Sequence, residues 1–172
     1  MNSYLRGIQS NVSDMAKNDI KNITSALNKT SLPKNMILSR QVYYDNIENF
    51  LGVSTHDLMY NSIEQLKQKL EGTWKIEKGF TSTTATNDDM CSRNIKLEIE
   101  APKGTKAMYM QPFTSYGNDD DYRWDGISDY RLGGETEVLI QRGAIYSIKE
   151  VSQPYGNSKL LIKMKLEGFE DD

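Results

Sequence analysis

The chain has 172 residues, 37% of them hydrophobic and 26% charged, with a formal net charge of −3 at pH 7. That is one domain's length with enough apolar material for a real core, and the acidic balance gives no electrostatic footing for DNA or RNA. Cys91 and His56 each stand alone, which excludes an intramolecular disulfide, cysteine-type metal clusters, histidine-based nucleophile triads and multi-histidine metal sites. The chemistry has to come from carboxylates, hydroxyls and arginine. No run approaches the roughly 20 apolar residues that span a bilayer. The opening Met1-Asn2-Ser3-Tyr4-Leu5-Arg6 lacks a basic stretch leading into an apolar one, so no signal peptide is expected in this chain.

Leu5, Ile8, Val12, Met15, Ile20, Ile23 and Leu27 recur at helical spacing and predict an amphipathic helix over about 4–28, with room for one break. Leu32-Pro33-Lys34-Asn35 reads as its exit turn and Met36 to Arg40 as the first strand. Ser54 with Asp57 three residues on is a variant capping box. It opens a second helix with Leu58, Met59, Ile63, Leu66 and Leu70 on one face, stopped at Gly72. The period then changes to two. Ile95, Leu97 and Ile99 alternate with Lys96, Glu98 and Glu100, a half-buried strand ended by Pro102-Lys103-Gly104. Strands follow at Ala107 to Gln111, Val138 to Ile140, Ile145 to Val151 and Leu160 to Leu166, with Gln141-Arg142-Gly143 and Pro154-Tyr155-Gly156-Asn157 as turns. Helices first and strands afterwards predict a single α+β domain over 1–172, with a helical part to about 35 and a β core over about 36–166. Phe113 to Gly134 reads as a loop longer than the roughly 12–15 residues usual in a compact scaffold, and such loops are commonly functional. Its Tyr116, Tyr122, Trp124 and Tyr130 are too aromatic for plain disorder.

Three short patterns carry chemistry. Glu135-Thr136-Glu137 stands where Gly133-Gly134 runs into the apolar Val138-Leu139-Ile140, so spacing by two puts both carboxylates on one face of a strand. Alone, such a pair is most often a solvated polar face. Gly79-Phe80-Thr81-Ser82-Thr83-Thr84 offers a hydroxyl-bearing motif, though alone such a stretch is most often simply polar β-strand. Arg40 closes the apolar run Met36-Ile37-Leu38-Ser39, where a lone arginine is usually surface. Asp121, Arg123, Asp125 and Gly126 hint at a calcium loop but put arginine at a ligand position and Leu132 where the closing glutamate belongs.

Taken in order, the arginine, the Ser-Thr step and the Glu-x-Glu resemble the signature of toxin-like mono-ADP-ribosyltransferases. The segment Ala26 to Ile37 is similar to the one preceding this arginine in the enzymatic subunits of clostridial binary actin-modifying toxins. Glu137-Val138-Leu139-Ile140-Gln141-Arg142-Gly143 resembles the family's usual continuation. The resemblance spans about residues 20 to 151 and implies N-terminal helices followed by two packed, mainly antiparallel sheets around an NAD cleft. It implies NAD as substrate, with no metal, and arginine on a target protein, actin or another host protein, as acceptor.

The residue roles it implies are as follows. Glu137 stabilises the oxocarbenium-like ribose and grips a ribose hydroxyl. Ser82 holds Glu137 in its rotamer, Thr83 supports the strand, and Arg40 meets an NAD phosphate with its planar fork. Gly79, Phe80 and Thr83 join Arg40, Ser82 and Glu137 in lining the cofactor site. Glu135 orients and deprotonates the acceptor guanidinium. Relatives with glutamine there, such as the Rho-modifying clostridial exoenzymes, modify asparagine. The chain departs from the pattern in three places: Lys96 and Glu98 stand on the strand where an NAD-contacting arginine is common, Gly79 replaces an asparagine, and Leu132 replaces a loop aromatic. Tyr130 and Trp124 are the aromatics near enough to take over target recognition with Leu132. Water is expected to act as a slow acceptor, giving NAD glycohydrolase activity. A secreted or delivered effector acting in a target cell's cytosol and a phage-encoded transferase fit equally. The competing expectation is a non-catalytic docking copy of the same fold.

Overall fold

The computed structural model describes residues 1–85, 91–110, 136–156 and 159–170. The predicted first helix is two: α1 (Asn2–Leu5) and α2 (Asp14–Leu27). Ser13 sets the second start by accepting the Ala16 N–H at 3.2 Å. Strand β1 (Met36–Val42) follows, then a 3₁₀ turn (Tyr44–Asn46) and α3 (Glu48–Leu51). The predicted second helix also divides, into α4 (Thr55–Tyr60) and α5 (Ile63–Leu70). Ser54 caps the first as expected. Asn61 then leaves the helix and Ser62 opens a full capping box with Gln65, whose reciprocal bonds are 2.8 and 3.3 Å. A local side-chain alternative to the helical ladder wins there, and Met59, predicted on the buried face, is exposed.

The remaining strands are β2 (Trp74–Glu77), β3 (Thr81–Thr84), β4 (Ile95–Ala101), β5 (Ala107–Tyr109), β6 (Glu137–Ile140), β7 (Ala144–Ser152) and β8 (Leu160–Phe169). They hydrogen-bond in the order β2-β7-β8-β4-β1-β3-β6-β5. Every pairing is antiparallel except β4 with β8. The expected two sheets are joined into one ladder, but barely. β1 meets β4 along its whole length, whereas its printed register with β3 is the single pair Ser39 and Thr84. That seam divides a five-stranded part from a three-stranded one. Both predicted breaks between strand and turn at Gly143 and Gly156 hold, with φ of +74° and +103° that favour glycine.

The main core lies on the face carrying Leu38, Val42, Leu97, Val138, Ile140 and Ile148, packed with Leu51, Leu58, Leu66 and Leu70 of the short helices. A second cluster forms where α1 and α2 cover the three-stranded part: Ile20, Leu27 and Phe80, with Tyr4, Leu5, Ile23, Met108 and Leu139 around them. Lys96, predicted on a solvated face, is buried because β4 is central between β1 and β8. Its ammonium lies 5.8 Å from the Tyr155 ring centre.

Candidate active site

Strands β3 and β6 run antiparallel, with Ser82 opposite Leu139 and Thr84 opposite Glu137. Opposed residues share a face and alternate along each strand. Ser82, Thr84, Glu137 and Leu139 therefore stand on one face, while Thr81, Thr83, Val138 and Ile140 point into the buried other side. Ser82 and Glu137 are diagonal neighbours, and Ser82 Oγ donates to Glu137 Oε1 at 2.6 Å. A hydroxyl on a carboxylate at that distance is a charge-assisted bond. Ser82 is exposed and Glu137 half-buried, so the pair opens to solvent. The residue before Glu137 is held as well. The Thr136 carbonyl accepts the Ala85 N–H at 3.0 Å, and its hydroxyl lies 3.1 Å from that of Thr84.

Two predicted cofactor residues are committed to the scaffold. Thr83 faces away from Ser82 and donates its hydroxyl to the Val138 carbonyl at 2.7 Å, tying β3 to β6. Phe80 is buried beneath α1 and α2. Its backbone N–H and carbonyl both bond to the Asn2 carboxamide at 3.0 Å. Gly79 donates its N–H to Glu77 Oε1 at 2.8 Å. A Cβ there would lie 3.1 Å from Asn2 Oδ1, 3.2 Å from Glu77 Oε1 and 3.3 Å from Arg6 Nε, so the asparagine expected by the resemblance would require these three side chains to give by a few tenths of an ångström.

Arg40 lies apart from the Ser82–Glu137 pair. Ser39 opposes Thr84, so its successor Arg40 projects to the other face of the sheet. There it lines a small pocket with Arg6, Glu77, Thr81, Leu97 and Tyr146. Burial lowers the Arg40 pKa, and the charges of Arg6 and Arg93 push it the same way while Glu77 opposes them. Burial likewise raises the Tyr146 phenol well above its ordinary range, so it stays protonated.

Arg6, Arg93 and Asn2 were not singled out from the sequence. Arg6 forks onto Glu77 at 2.8 and 2.9 Å, and Asn2 sits four residues before it on the same side of one helical turn. Arg93 Nη1 donates to the Gln41 carbonyl at 2.9 Å, with its guanidinium 5.3 Å from the Tyr43 ring centre. It stands just ahead of β4 rather than on it, which is why a search along the strand passed over it. The turn from Glu77 to Phe80 thus stands between the Glu137 carboxylate on one face and the Arg40 and Arg6 guanidiniums on the other. Glu135, Trp124, Tyr130 and Leu132 lie outside the described residues.

The model of the ADP-ribosyltransferase exoenzyme family matches residues 1–167. The epidermal cell differentiation inhibitor of Staphylococcus aureus is 25% identical over 157 residues, 83% of this chain and 57% of that protein. The mono-ADP-ribosyltransferase C3 of Hathewaya limosa is 23% identical over 179 residues, 97% of this chain and 64% of that protein. Among solved structures, the C3 exoenzyme of Clostridium limosum superposes with a TM-score of 0.74 at 22% identity, covering 97% of this chain and 78% of that one. The chain belongs to the ADP-ribosyltransferase exoenzyme family. It spans about three fifths of the length of the curated relatives it matches.

Proposed function

We propose that the protein transfers ADP-ribose from NAD to an arginine of a target protein, with water as a slow alternative acceptor. The observation that carries this reading is the 2.6 Å bond from Ser82 to Glu137. Splitting the nicotinamide bond builds positive charge on the ribose, and a carboxylate fixed beside that charge stabilises the transition state more than the neutral sugar. Ser82 does the fixing. Across the Glu77–Phe80 turn, the guanidiniums of Arg40, Arg6 and Arg93 make a cationic ground for the dinucleotide's phosphates. Glu135 supplies the acceptor preference. A guanidinium needs a carboxylate to orient it and draw off a proton, whereas the glutamine-bearing relatives that the resemblance brings in modify asparagine. Membership among exoenzymes fits an effector that acts away from the cell that makes it.

Glu137→Gln keeps size and polarity but removes the charge. Both protein labelling from NAD and NAD hydrolysis should fall together, by on the order of 100–1000-fold, in a lysate assay with labelled NAD followed by mapping of the modified side chain. A variant retaining more than about a tenth of wild-type hydrolysis would be too active for that expected loss and would remove Glu137 from this role.

A further inference from the structure

Arg40 presents a problem that the site geometry leaves open. Its guanidinium is largely buried in the pocket between β1 and β2, with apolar walls from Val42, Ile47, Phe50, Leu97 and Met164. No described residue gives it a hydrogen bond or an ion pair. The carboxylate in the same pocket is already spent: Glu77 Oε1 accepts from Arg6 Nε and the Gly79 N–H, and Oε2 accepts from Arg6 Nη2. Among the described residues, two guanidiniums against one carboxylate leave the pocket lining one positive charge in excess. A buried charge is costly unless something pairs with it.

Two further groups aim into the same space. Tyr146 is 1% exposed and Thr81 4% exposed, and among the described residues neither Tyr146 Oη nor Thr81 Oγ1 makes a well-formed hydrogen bond, the two hydroxyls lying close enough only to interact weakly with each other. Both line the pocket beside Arg40. The cavity they surround is about 20 Å³. That is room for one water-sized sphere and too little for a phosphate group. What fits is small, carries a single negative charge and accepts hydrogen bonds from a guanidinium and two hydroxyls while touching apolar side chains. Water answers this poorly, since the surplus on the walls is of donors and of positive charge.

We propose that this pocket binds one halide ion, chloride in physiological solution, held by the Arg40 guanidinium and the hydroxyls of Tyr146 and Thr81. The ion is the resting counter-charge of Arg40. Resting on the reading of Arg40 as a phosphate ligand, an NAD phosphate meets the partly exposed side of Arg40 outside the cavity, takes over that charge, and the halide leaves. NAD capture is then weakened by halide at constant ionic strength, a direct competition rather than general screening.

The test has two independent arms. Crystals grown in sodium bromide should show an anomalous peak in contact with Arg40, Tyr146 and Thr81, in the absence of NAD. Calorimetric titration of NAD should be run in chloride and in gluconate at matched ionic strength, on wild type, Tyr146→Phe and Thr81→Val. Both substitutions roughly conserve volume and remove a hydroxyl that makes no well-formed hydrogen bond among the described residues. For simple competition the apparent Kd grows as one plus the ratio of halide to its own Kd, so at ten times that Kd it rises roughly tenfold. The variants should lose most of that chloride sensitivity while binding NAD normally in gluconate. An empty or water-filled pocket in bromide overturns the proposal. So does a chloride effect of equal size in all three proteins. If NAD binds in neither salt, the transferase reading fails, and the bromide peak alone still decides the pocket.

Discussion

Replacing Ser82 with alanine isolates what a single hydroxyl does for Glu137. The serine side chain is exposed on β3, so its loss opens no core cavity, and the strand keeps its register through Thr83 and the β6 ladder. What disappears is the 2.6 Å bond to Glu137 Oε1. Hydrogen bonds to charged groups contribute roughly 1.5–3 kcal/mol, and an exposed pair belongs at the low end. About 1.5 kcal/mol of lost orientation corresponds to about a tenfold drop in rate. Ser82→Ala should therefore fall near one tenth of wild type in NAD hydrolysis and stay well above Glu137→Gln, which loses the charge itself. Ser82→Thr retains an Oγ on a residue that strands accept readily, and should recover most of the activity. Initial rates of nicotinamide release at saturating NAD, with thermal melts to confirm folding, give the comparison. An alanine variant within about twofold of wild type would be well short of that tenfold expectation and would show that Glu137 holds its position without Ser82. One as impaired as Glu137→Gln would give Ser82 a role beyond orientation.

Three further variants have expected outcomes. Glu135→Gln should abolish arginine labelling while leaving much of the NAD hydrolysis, because water captures a cationic ribose without help from that side chain; Trp124→Ala should likewise lower transfer more than hydrolysis. Equal loss of both activities in Glu135→Gln, measured in parallel, would place Glu135 in bond cleavage and remove the main support for arginine as acceptor. Away from the site, Glu167 Oε1 accepts the Ser147 hydroxyl at 2.5 Å, and that bond, with Lys165 beside it, lowers the Glu167 carboxyl to about 2. A depressed carboxylate contributes stability above its ordinary pKa of about 4.3, and the contribution is lost as pH falls from there through about 2. Glu167→Gln should melt below wild type at pH 7, and the gap should close between pH 4 and pH 2. A gap of unchanged size at pH 2 would refute the linkage.

The strands β4, β7 and β8 were legible because alternation over seven or more residues is a strong signal, and Glu137 was legible as the polar residue leading into the apolar run of β6. Helix ends were harder. Ser62 and Gln65 form their own capping box inside what reads as one apolar stripe. Lys96 shows the limit of alternation, since a strand central in the sheet buries both faces whatever the sequence alternates. The face of Arg40 was beyond reach. Period-two reasoning within β1 cannot tell which side of β3 it will meet, and that depends on the one-pair seam at Ser39 and Thr84. Arg6 and Glu77 are 71 residues apart, and no local pattern announces a pair of that kind.

That seam has a functional consequence. Had β1 and β3 paired along their length, the sheet would run through as one surface, with Arg40 and Glu137 separated by a full layer of side chains. Pairing at one point lets the three-stranded part carry the carboxylate while the five-stranded part carries the guanidinium, with the Glu77–Phe80 turn between them. The turn itself has no side chain at Gly79 and is stitched to α1 by four bonds from Asn2 and Arg6. α1 buries none of its own residues completely, so those bonds set its place together with the partial packing of Tyr4 and Leu5 against the second cluster. Arg6 therefore couples the two faces: the same guanidinium that neutralises Glu77 also fixes the turn from which β3 presents Ser82. Removing it would leave a buried carboxylate beside Arg40, free to pair with that cation.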